Sequence, residues 1–235
     1  MREVSIEGCP VIGTGTFGKV YRLDADTVVK VYDDPANLPL IETEQERSRR
    51  AFIRGIPTAI PFGIARVGDS YGSMFELIEA RNCNDFIAAH PEKADKLIEE
   101  YAGFIRKLHA VKAKPGEFPD VRKVYTDYLE CIKQYLPEDI YAGLESFVTA
   151  VPEEAGLVHG DIQMKNVMLS NGEMMLIDMN TLSAGNQLFE FAGDSRDIQI
   201  LAWMRFLHVV MIELSSPDSF MIAPTIDKLR RLLDK

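Results

Sequence analysis

A polar stretch of the chain carries side chains that could together move a phosphoryl group. Residues 159–166 read H-G-D-I-Q-M-K-N, and Asp178 follows Asn166 after twelve residues, in L-I-D. The Asp161 carboxylate can orient a substrate hydroxyl and accept its proton. The side-chain oxygens of Asn166 and Asp178 are of the kind that binds Mg²⁺ beside a polyphosphate. We therefore expect Asp161 to be a catalytic base and Asn166 and Asp178 to be metal ligands; the alternative is a polar turn whose aspartates only cap local structure.

The segment between these side chains predicts the turn that would bring them together. Asn171 and Gly172 form an Asn-Gly pair, which supplies the positive φ angles that a tight hairpin needs. A hairpin over residues 167–177 would return Asp178 to the neighbourhood of Asn166.

A glycine-rich stretch near the N-terminus reads G-T-G-T-F-G-K-V over residues 13–20. Gly13, Gly15 and Gly18 match a loop whose backbone can approach a polyphosphate without side-chain clashes. A dinucleotide-binding βαβ unit uses a similar pattern, but a helix must follow it, whereas residues 20–23 continue as a strand. The alternative is an ordinary hairpin with glycines in its turn.

Lys30 lies within the β-branched run T-V-V-K-V-Y, which predicts a strand. A lysine that points inward from a strand is costly unless its charge is paired, and phosphates together with a glutamate would pair it. In the acidic helix predicted over residues 42–54, Glu44 shares a face with Phe52 and is the first candidate partner. Glu46 is the second candidate. The alternative is an exposed lysine with solvated glutamates.

The elements that would position these side chains form an α+β pattern. Residues 1–78 read as strands around one helix, and residues 79–235 read as helices with the predicted hairpin among them. We expect one bilobal domain with a small β-rich N-terminal lobe for the nucleotide and a larger, mostly helical C-terminal lobe.

Composition excludes several classes of protein. A formal net charge of −10 over 235 residues argues against a nucleic-acid surface. The N-terminus has no apolar signal-peptide core, and the apolar run over residues 198–214 is too short and too polar for a membrane span. Cys9, Cys83 and Cys131 are widely spaced, which favours a reducing cytoplasm. We expect a cytoplasmic monomer or weak dimer.

Together these motifs resemble the aminoglycoside phosphotransferase and choline kinase-like family, which shares its fold with protein kinases. The resemblance runs from Gly13 to about Ala192. It implies Mg²⁺ and ATP as cofactors, with Lys30 on the α- and β-phosphates and paired with Glu44. It further implies that a hinge containing Glu76 and Ile78 reads adenine through the Glu76 carbonyl and the Ile78 N–H. Such backbone contacts do not distinguish ATP from GTP.

Departures from the protein-kinase pattern point to a small-molecule hydroxyl acceptor, such as an aminoglycoside, choline or a sugar. Gly160 and Gln163 replace an arginine and a lysine, Met179 and Asn180 replace Phe-Gly, and no Ala-Pro-Glu follows. Residues 115–155 hold nine acidic and three basic residues, which would suit a cationic acceptor or form an ordinary solvated face. The alternatives are a Ser/Thr protein kinase-like enzyme and a non-catalytic nucleotide-binding regulator.

Overall fold

The structure, a computed structural model, describes residues 1–15, 17–190, 195–217 and 219–234 of the chain. The strands are, in chain order, β1 (Arg2–Glu3), β2 (Val11–Gly15), β3 (Gly18–Arg22), β4 (Thr27–Tyr32), β5 (Pro61–Val67), β6 (Ser70–Glu76), β7 (Arg81–Asn82), β8 (Leu157–Val158), β9 (Val167–Ser170), β10 (Glu173–Leu176) and β11 (Ser183–Ala184). The α-helices are α1 (Leu38–Ile53), α2 (Cys83–Ala89), α3 (Ala94–Ala110), α4 (Val121–Ile132), α5 (Glu138–Ala150), α6 (Arg196–His208) and α7 (Ile222–Leu233).

The chain divides into two compact units. The first consists of Met1–Arg106 together with Asp161–Thr181, and the second of Lys107–Gly160 together with Leu182–Lys235. The boundary between lobes at residue 78 stays a prediction. All ten predicted site residues fall within the first unit.

The first unit is built on a sheet with strand order β1-β5-β6-β4-β3-β2. Only β1 and β5 run parallel; the other neighbours are antiparallel, as short connections allow. Val29 of β4 is fully buried and packs in a cluster with Ala65, Val67 and Met74. Strand β4 therefore lies inside the sheet, between β3 and β6.

Helix α1 packs against β5 and β6 and continues as predicted through the acidic segment. Ile41, Glu44, Ser48 and Ala51 are its buried residues, three or four positions apart, as one helical face requires. The expectation that Phe52 shares this face is wrong, because its side chain is exposed. Phe52 follows Ala51 directly, so the rotation of about 100° per residue turns it away from the buried face.

A second sheet of the first unit has the order β10-β9-β7. Strands β9 and β10 form the predicted hairpin, with Ser170 opposite Glu173 and a turn at Asn171 (φ 51°) and Gly172 (φ 84°). The Ile177 N–H donates to the Asn166 carbonyl at 3.1 Å, which closes the hairpin. The chain is thereby returned to Asn166 immediately before Asp178.

The second unit is helical around an apolar core. Val121, Tyr125 and Leu129 of α4 repeat every four residues, and so do Ile140, Leu144 and Val148 of α5; all six are buried in one cluster. Helices α6 and α7 pack against each other beside them. None of the helices that the structure describes is long and apolar enough to cross a membrane.

Candidate active site

Strand β4 places Lys30 between two neighbouring strands of the six-stranded sheet. Val20 of β3 lies opposite Lys30 on one side and Ser73 of β6 on the other. Strand β3 belongs to the glycine-rich stretch, and β6 leads into the predicted hinge. Because β4 pairs with both strands, the glycine-rich stretch, Lys30 and the predicted hinge belong to one sheet.

The Lys30 ammonium is held by two carboxylates. Its Nζ lies 2.9 Å from Glu44 Oε1 and also contacts Asp178. The lysine side chain is 17% exposed and that of Glu44 only 1%. Burial alone lowers the pKa of a lysine, but the charges of Glu44 and Asp178 outweigh it and raise the pKa of Lys30 above its usual range. The lysine is therefore a fixed positive charge.

Helix α1 decides which glutamate reaches Lys30. Glu46, the second candidate, instead binds Arg49 and Arg50, whose guanidinium groups lower its pKa to about 2. Gln45 anchors the helix to the sheet: its amide donates to Ser73 Oγ and to the Met74 carbonyl, and its oxygen accepts from the Gly63 N–H. With α1 held in this orientation, Glu44 points to Lys30.

The Asp161 carboxylate is fixed by two amides. Asn166 Nδ2 donates to Asp161 Oδ2 and to the Asp161 carbonyl, both at 2.9 Å, and Gln163 Nε2 donates to Oδ1 at 2.5 Å. Asn166 is buried and Asp161 is half-buried. Because Asn166 donates through its nitrogen, its side-chain oxygen is directed away from this carboxylate. The predicted base is thus accessible and held in one orientation.

Asp178 has a left-handed backbone with φ 61°, which is uncommon for a residue that is not glycine. Conformations of this kind persist where the surroundings fix them, often at functional sites. Here the Ile177–Asn166 hydrogen bond and the ion pair with Lys30 hold the residue. Its side chain is 41% exposed, so a ligand from solvent can reach it.

The oxygens of Asn166 and Asp178 fit magnesium that arrives with a nucleotide. Within the described ranges, no three His, Cys, Asp or Glu side chains converge as a metal site. Magnesium often binds through one or two protein ligands while substrate phosphates and water complete its octahedron. A donor set of one amide and one carboxylate therefore suits a metal bound jointly with phosphates.

The glycines of the loop differ in what the fold requires of them. A Cβ on Gly18 would lie 1.9 Å from the Val31 carbonyl oxygen, so β3 and β4 can pair closely only with glycine there. A Cβ on Gly13 or Gly15 would meet no described atom closer than 3.5 Å. Both glycines lie in strand β2, and packing does not require glycine at either position, which leaves this part of the strand open to a ligand. Thr16, also in this motif, lies outside the described residues.

The predicted hinge follows β6. The Glu76 N–H donates to the Ile60 carbonyl at 2.9 Å, and the Glu76 carboxylate accepts from the Ile60 N–H at 3.3 Å. The Ile78 N–H has no hydrogen-bond partner in the part of the chain that the structure describes. This N–H is available to a ligand, as the expectation for a hinge donor requires.

Three contacts of the site were missed by the sequence reasoning. The Tyr32 hydroxyl donates to Glu44 Oε2 at 2.9 Å, Arg47 of α1 donates to the Asn180 carbonyl, and Gln163 contacts Asp161. The signal for Tyr32 was present in the sequence, since it follows Lys30 by two residues and so lies on the same face of a strand. No sequence signal joins Arg47 to a residue so distant in the chain.

In the second unit, Glu190 binds the backbone that precedes Asp161. Its buried carboxylate accepts from the Gly160 N–H at 2.8 Å and from the His159 N–H, and it lies 3.5 Å from His109 Nε2. A carboxylate that accepts two backbone hydrogen bonds fixes the local chain path. The His159 side chain is fully buried.

The nine acidic residues between residues 115 and 155 are mostly engaged in local contacts. Eight of them accept hydrogen bonds or form ion pairs within the described part of the second unit; they are Glu117, Asp120, Asp127, Glu130, Asp139, Glu145, Glu153 and Glu154. These contacts stabilise helix ends and helix surfaces. They do not select between the two interpretations of this acidic segment.

Comparisons with known proteins identify the family and the fold of the chain. The model of the phosphotransferase enzyme family (APH) matches residues 10–217. The chain is similar to the structure of aminoglycoside phosphotransferase APH(2'')-Ib with ADP bound, at 14% identity and a TM-score of 0.65, covering 95% of this chain and 92% of that one. A thermostable mutant of aminoglycoside phosphotransferase APH(4)-Ia, in ternary complex with ADP and hygromycin B, gives 13% identity and a TM-score of 0.68 over 95% and 93% of the chains.

A choline/ethanolamine kinase family protein from Mesorhizobium loti is also similar, at 16% identity and a TM-score of 0.59 over 97% and 88% of the chains. No curated protein matches the chain significantly. Likenesses at these identities show the fold and confirm the predicted α+β, protein kinase-like class. The family match covers most of the chain, in agreement with the predicted resemblance. The chain therefore belongs to the phosphotransferase enzyme family.

Proposed function

We propose that this phosphotransferase is a small-molecule kinase that moves the γ-phosphate of ATP, with Mg²⁺, to a hydroxyl group. One observation carries the proposal. The five side chains predicted to perform the chemistry lie in one compact unit, where Lys30 contacts Glu44 and Asp178, and Asp161 contacts Asn166. Phosphoryl transfer depends mainly on positioning and charge, which these contacts supply.

The residues divide the work by their chemistry. Lys30 is a permanent cation that can bind the α- and β-phosphates, and Glu44 keeps its ammonium in place. Asn166 and Asp178 would hold Mg²⁺, which when bound neutralises charge on the β- and γ-phosphates. Asp161 would orient the acceptor hydroxyl and take its proton, since its two amide contacts fix the carboxylate without neutralising it.

The nucleotide is the better supported of the two substrates. Gly13 and Gly15 leave the backbone of β2 open, and the Ile78 N–H is available to a base. Two of the similar solved structures contain ADP. Two others contain GDP, so we propose a purine nucleoside triphosphate as the phosphate donor, with ATP as the first candidate.

The acceptor is proposed as a class. The similar proteins are named aminoglycoside phosphotransferases and a choline/ethanolamine kinase family protein, which supports a small-molecule alcohol. The acidic segment over residues 115–155 makes a cationic alcohol one candidate, and a sugar-like alcohol is another.

We also propose that the protein acts in the cytoplasm. Cys9, Cys83 and Cys131 are free thiols, as a reducing compartment would keep them. Burial raises the pKa of the Cys83 thiol to about 11, so this cysteine resists oxidation. Sedimentation of the purified protein would measure whether it is the monomer or weak dimer that we propose.

The function is tested by Asp161→Asn, with Asp95→Asn as the matched control on the surface of α3. The purified proteins are assayed for ATP-dependent phosphorylation of a panel of amino-alcohols, aminoglycosides and sugars, and for Mg-ATP binding by calorimetry. We expect Asp161→Asn to lower kcat by about 10²- to 10⁴-fold, the usual contribution of a general base, while Mg-ATP affinity and the control stay near wild type.

Other outcomes would favour the alternatives. Mg-ATP binding without turnover on any acceptor, unchanged by Asp161→Asn, would favour the non-catalytic regulator. Phosphorylation of peptides in preference to the alcohols would favour a protein kinase-like enzyme. A wild-type protein that does not bind Mg-ATP would contradict the proposed function altogether.

A further inference from the structure

We propose that Tyr32 is a positioning residue for the pair of Lys30 and Glu44, an inference that rests on the proposed function. Tyr32 is only 1% exposed, and its hydroxyl donates to Glu44 Oε2 at 2.9 Å. Lys30 Nζ occupies the other oxygen, Oε1, also at 2.9 Å. The two oxygens of one buried carboxylate are thus bound by donors from two residues of the same strand.

The alternation of β4 produces this arrangement. Lys30 and Tyr32 are two residues apart, so their side chains lie on the same face of the strand. Lys30 Nζ lies 5.5 Å from the centroid of the Tyr32 ring, within the range of a cation–π contact. Tyr32 therefore contacts both members of the pair, through its hydroxyl and through its ring.

The Tyr32 backbone is itself anchored. Ser70 Oγ donates to the Tyr32 carbonyl at 2.6 Å, and Gly18 lies opposite Tyr32 on β3. Since the strand on one side and Ser70 on the other hold this residue, its hydroxyl is a fixed point rather than a mobile partner.

The consequence for Glu44 is a restricted carboxylate. A carboxylate bound only by Lys30 could rotate about its terminal torsion, which is soft, and carry the ammonium with it. Bound by Tyr32 as well, it can rotate only by breaking one of two hydrogen bonds in a buried environment, where such losses are costly. The hydroxyl thus fixes the plane of Glu44 and, through it, the position of the ammonium.

This arrangement matters for phosphate binding because the ammonium must meet the phosphate oxygens in one geometry. Lys30 contacts two carboxylates, the buried and restrained one of Glu44 and the more exposed one of Asp178. When phosphates and metal occupy the site, Glu44 is the carboxylate that would keep the lysine in place. Tyr32 should therefore influence catalysis through ATP and not through the acceptor.

The test compares Tyr32→Phe, which removes one oxygen, with Tyr21→Phe as the matched control. Tyr21 is a partly buried tyrosine of the neighbouring strand β3, and its hydroxyl makes no hydrogen bond among residues that the structure describes. We expect Tyr32→Phe to lower kcat/KM for ATP about tenfold, the order of one hydrogen bond to a charged group, while KM for the acceptor stays unchanged. Tyr21→Phe should match wild type.

A double-substitution cycle separates positioning from a general structural role. In a Glu44→Ala background, Tyr32→Phe should change kcat/KM for ATP by less than about twofold, because the residue through which it acts is gone. If Glu44→Ala does not fold, as judged by thermal unfolding, Glu44→Gln serves as the background, and the effect of Tyr32→Phe should then be reduced. The Mg-ATP dissociation constant is measured for the same proteins.

The outcomes distinguish this inference from the proposed function. An active wild type with Tyr32→Phe equal to Tyr21→Phe would overturn the role of Tyr32 and leave the function intact. Equal losses from Tyr32→Phe with and without Glu44, or a loss that falls on the acceptor KM, would also overturn it. A wild type that neither binds Mg-ATP nor phosphorylates any acceptor would overturn both.

Discussion

Removing the Lys30 ammonium should destabilise the protein because the buried Glu44 carboxylate loses its ion-pair partner. In Lys30→Met the methylene chain is largely preserved, but Glu44, 1% exposed, keeps only the Tyr32 hydroxyl of its two charge-stabilising contacts. Breaking a buried ion pair by removing one partner typically costs about 3–5 kcal/mol. Asp178 is more exposed and can be solvated when the lysine is lost, so we expect about 3 kcal/mol, at the lower end of that range.

The assay is urea denaturation followed by circular dichroism, with Lys123→Met as the control. Lys123 forms an exposed ion pair with Asp127 at i,i+4, and such pairs contribute about 0.3–0.5 kcal/mol. Adding Glu44→Leu to Lys30→Met should restore part of the lost stability, since apolar replacements of buried pairs are often neutral, whereas the buried Tyr32 hydroxyl then lacks its acceptor. A single variant within 1 kcal/mol of wild type, or a double variant no more stable than the single one, would refute the reasoning.

The same contribution has a defined pH dependence. The pKa of Lys30 is higher in the folded protein than in the unfolded chain, where it lies near about 10.4. A raised pKa adds stability that is fully present below the unfolded value and is lost only as pH rises through the folded value. The difference between wild type and Lys30→Met should therefore stay constant from neutral pH to about pH 10. A difference that shrinks below pH 9 would contradict the assignment.

Three further predictions concern residues whose surroundings differ sharply. Gly18→Ala should unfold the protein or strongly lower its melting temperature, because the added Cβ would lie 1.9 Å from the Val31 carbonyl oxygen. Gly15→Ala should have the melting temperature of wild type. Its affinity for Mg-ATP, measured by calorimetry, should be about tenfold weaker. Asp178→Asn should change the free energy of unfolding by less than about 1 kcal/mol, because asparagine tolerates a φ of 61°. The same variant should bind Mg-ATP more weakly than wild type, but should bind ADP equally well in the absence of metal. Glu190→Ala leaves two backbone N–H groups without their buried acceptor and should lower the free energy of unfolding by about 2–4 kcal/mol in urea, with Glu190→Gln intermediate.

The sequence predicted the local elements of the site well because local rules govern them. The β-branched run around Lys30 became β4, and Asn171 with Gly172 formed the hairpin turn through their positive φ angles. Spacing along α1 selected Glu44 as the first candidate partner of Lys30, and the structure brings the two into contact. Each of these predictions depends on a period of two or 3.6 residues or on the backbone freedom of a turn.

Contacts between distant segments were beyond those rules. Arg47 and Asn180 are 133 residues apart, and nothing in either neighbourhood indicates the other. Phe52 lies beside the buried face of α1 without belonging to it. Its apolar side chain led to the wrong prediction that it is buried. Gln163 was recognised only as a departure from a protein kinase, whereas its amide contacts the Asp161 carboxylate. These positions depend on tertiary packing, which decides among faces that the sequence leaves open.

Strand β4 shows how strand register fixes the positive charge that we propose binds the phosphates. Its neighbours on both sides are fixed by hydrogen-bond register, with Val20 and Ser73 opposite Lys30. A slip of one residue would turn Lys30 to the other face of the sheet and bring a valine against Glu44, burying an unpaired carboxylate. The register that packs Val29 into the core and the register that presents Lys30 to its partners are therefore the same. Variants that loosen the core beneath β4 should impair nucleotide binding even where they contact no part of the site.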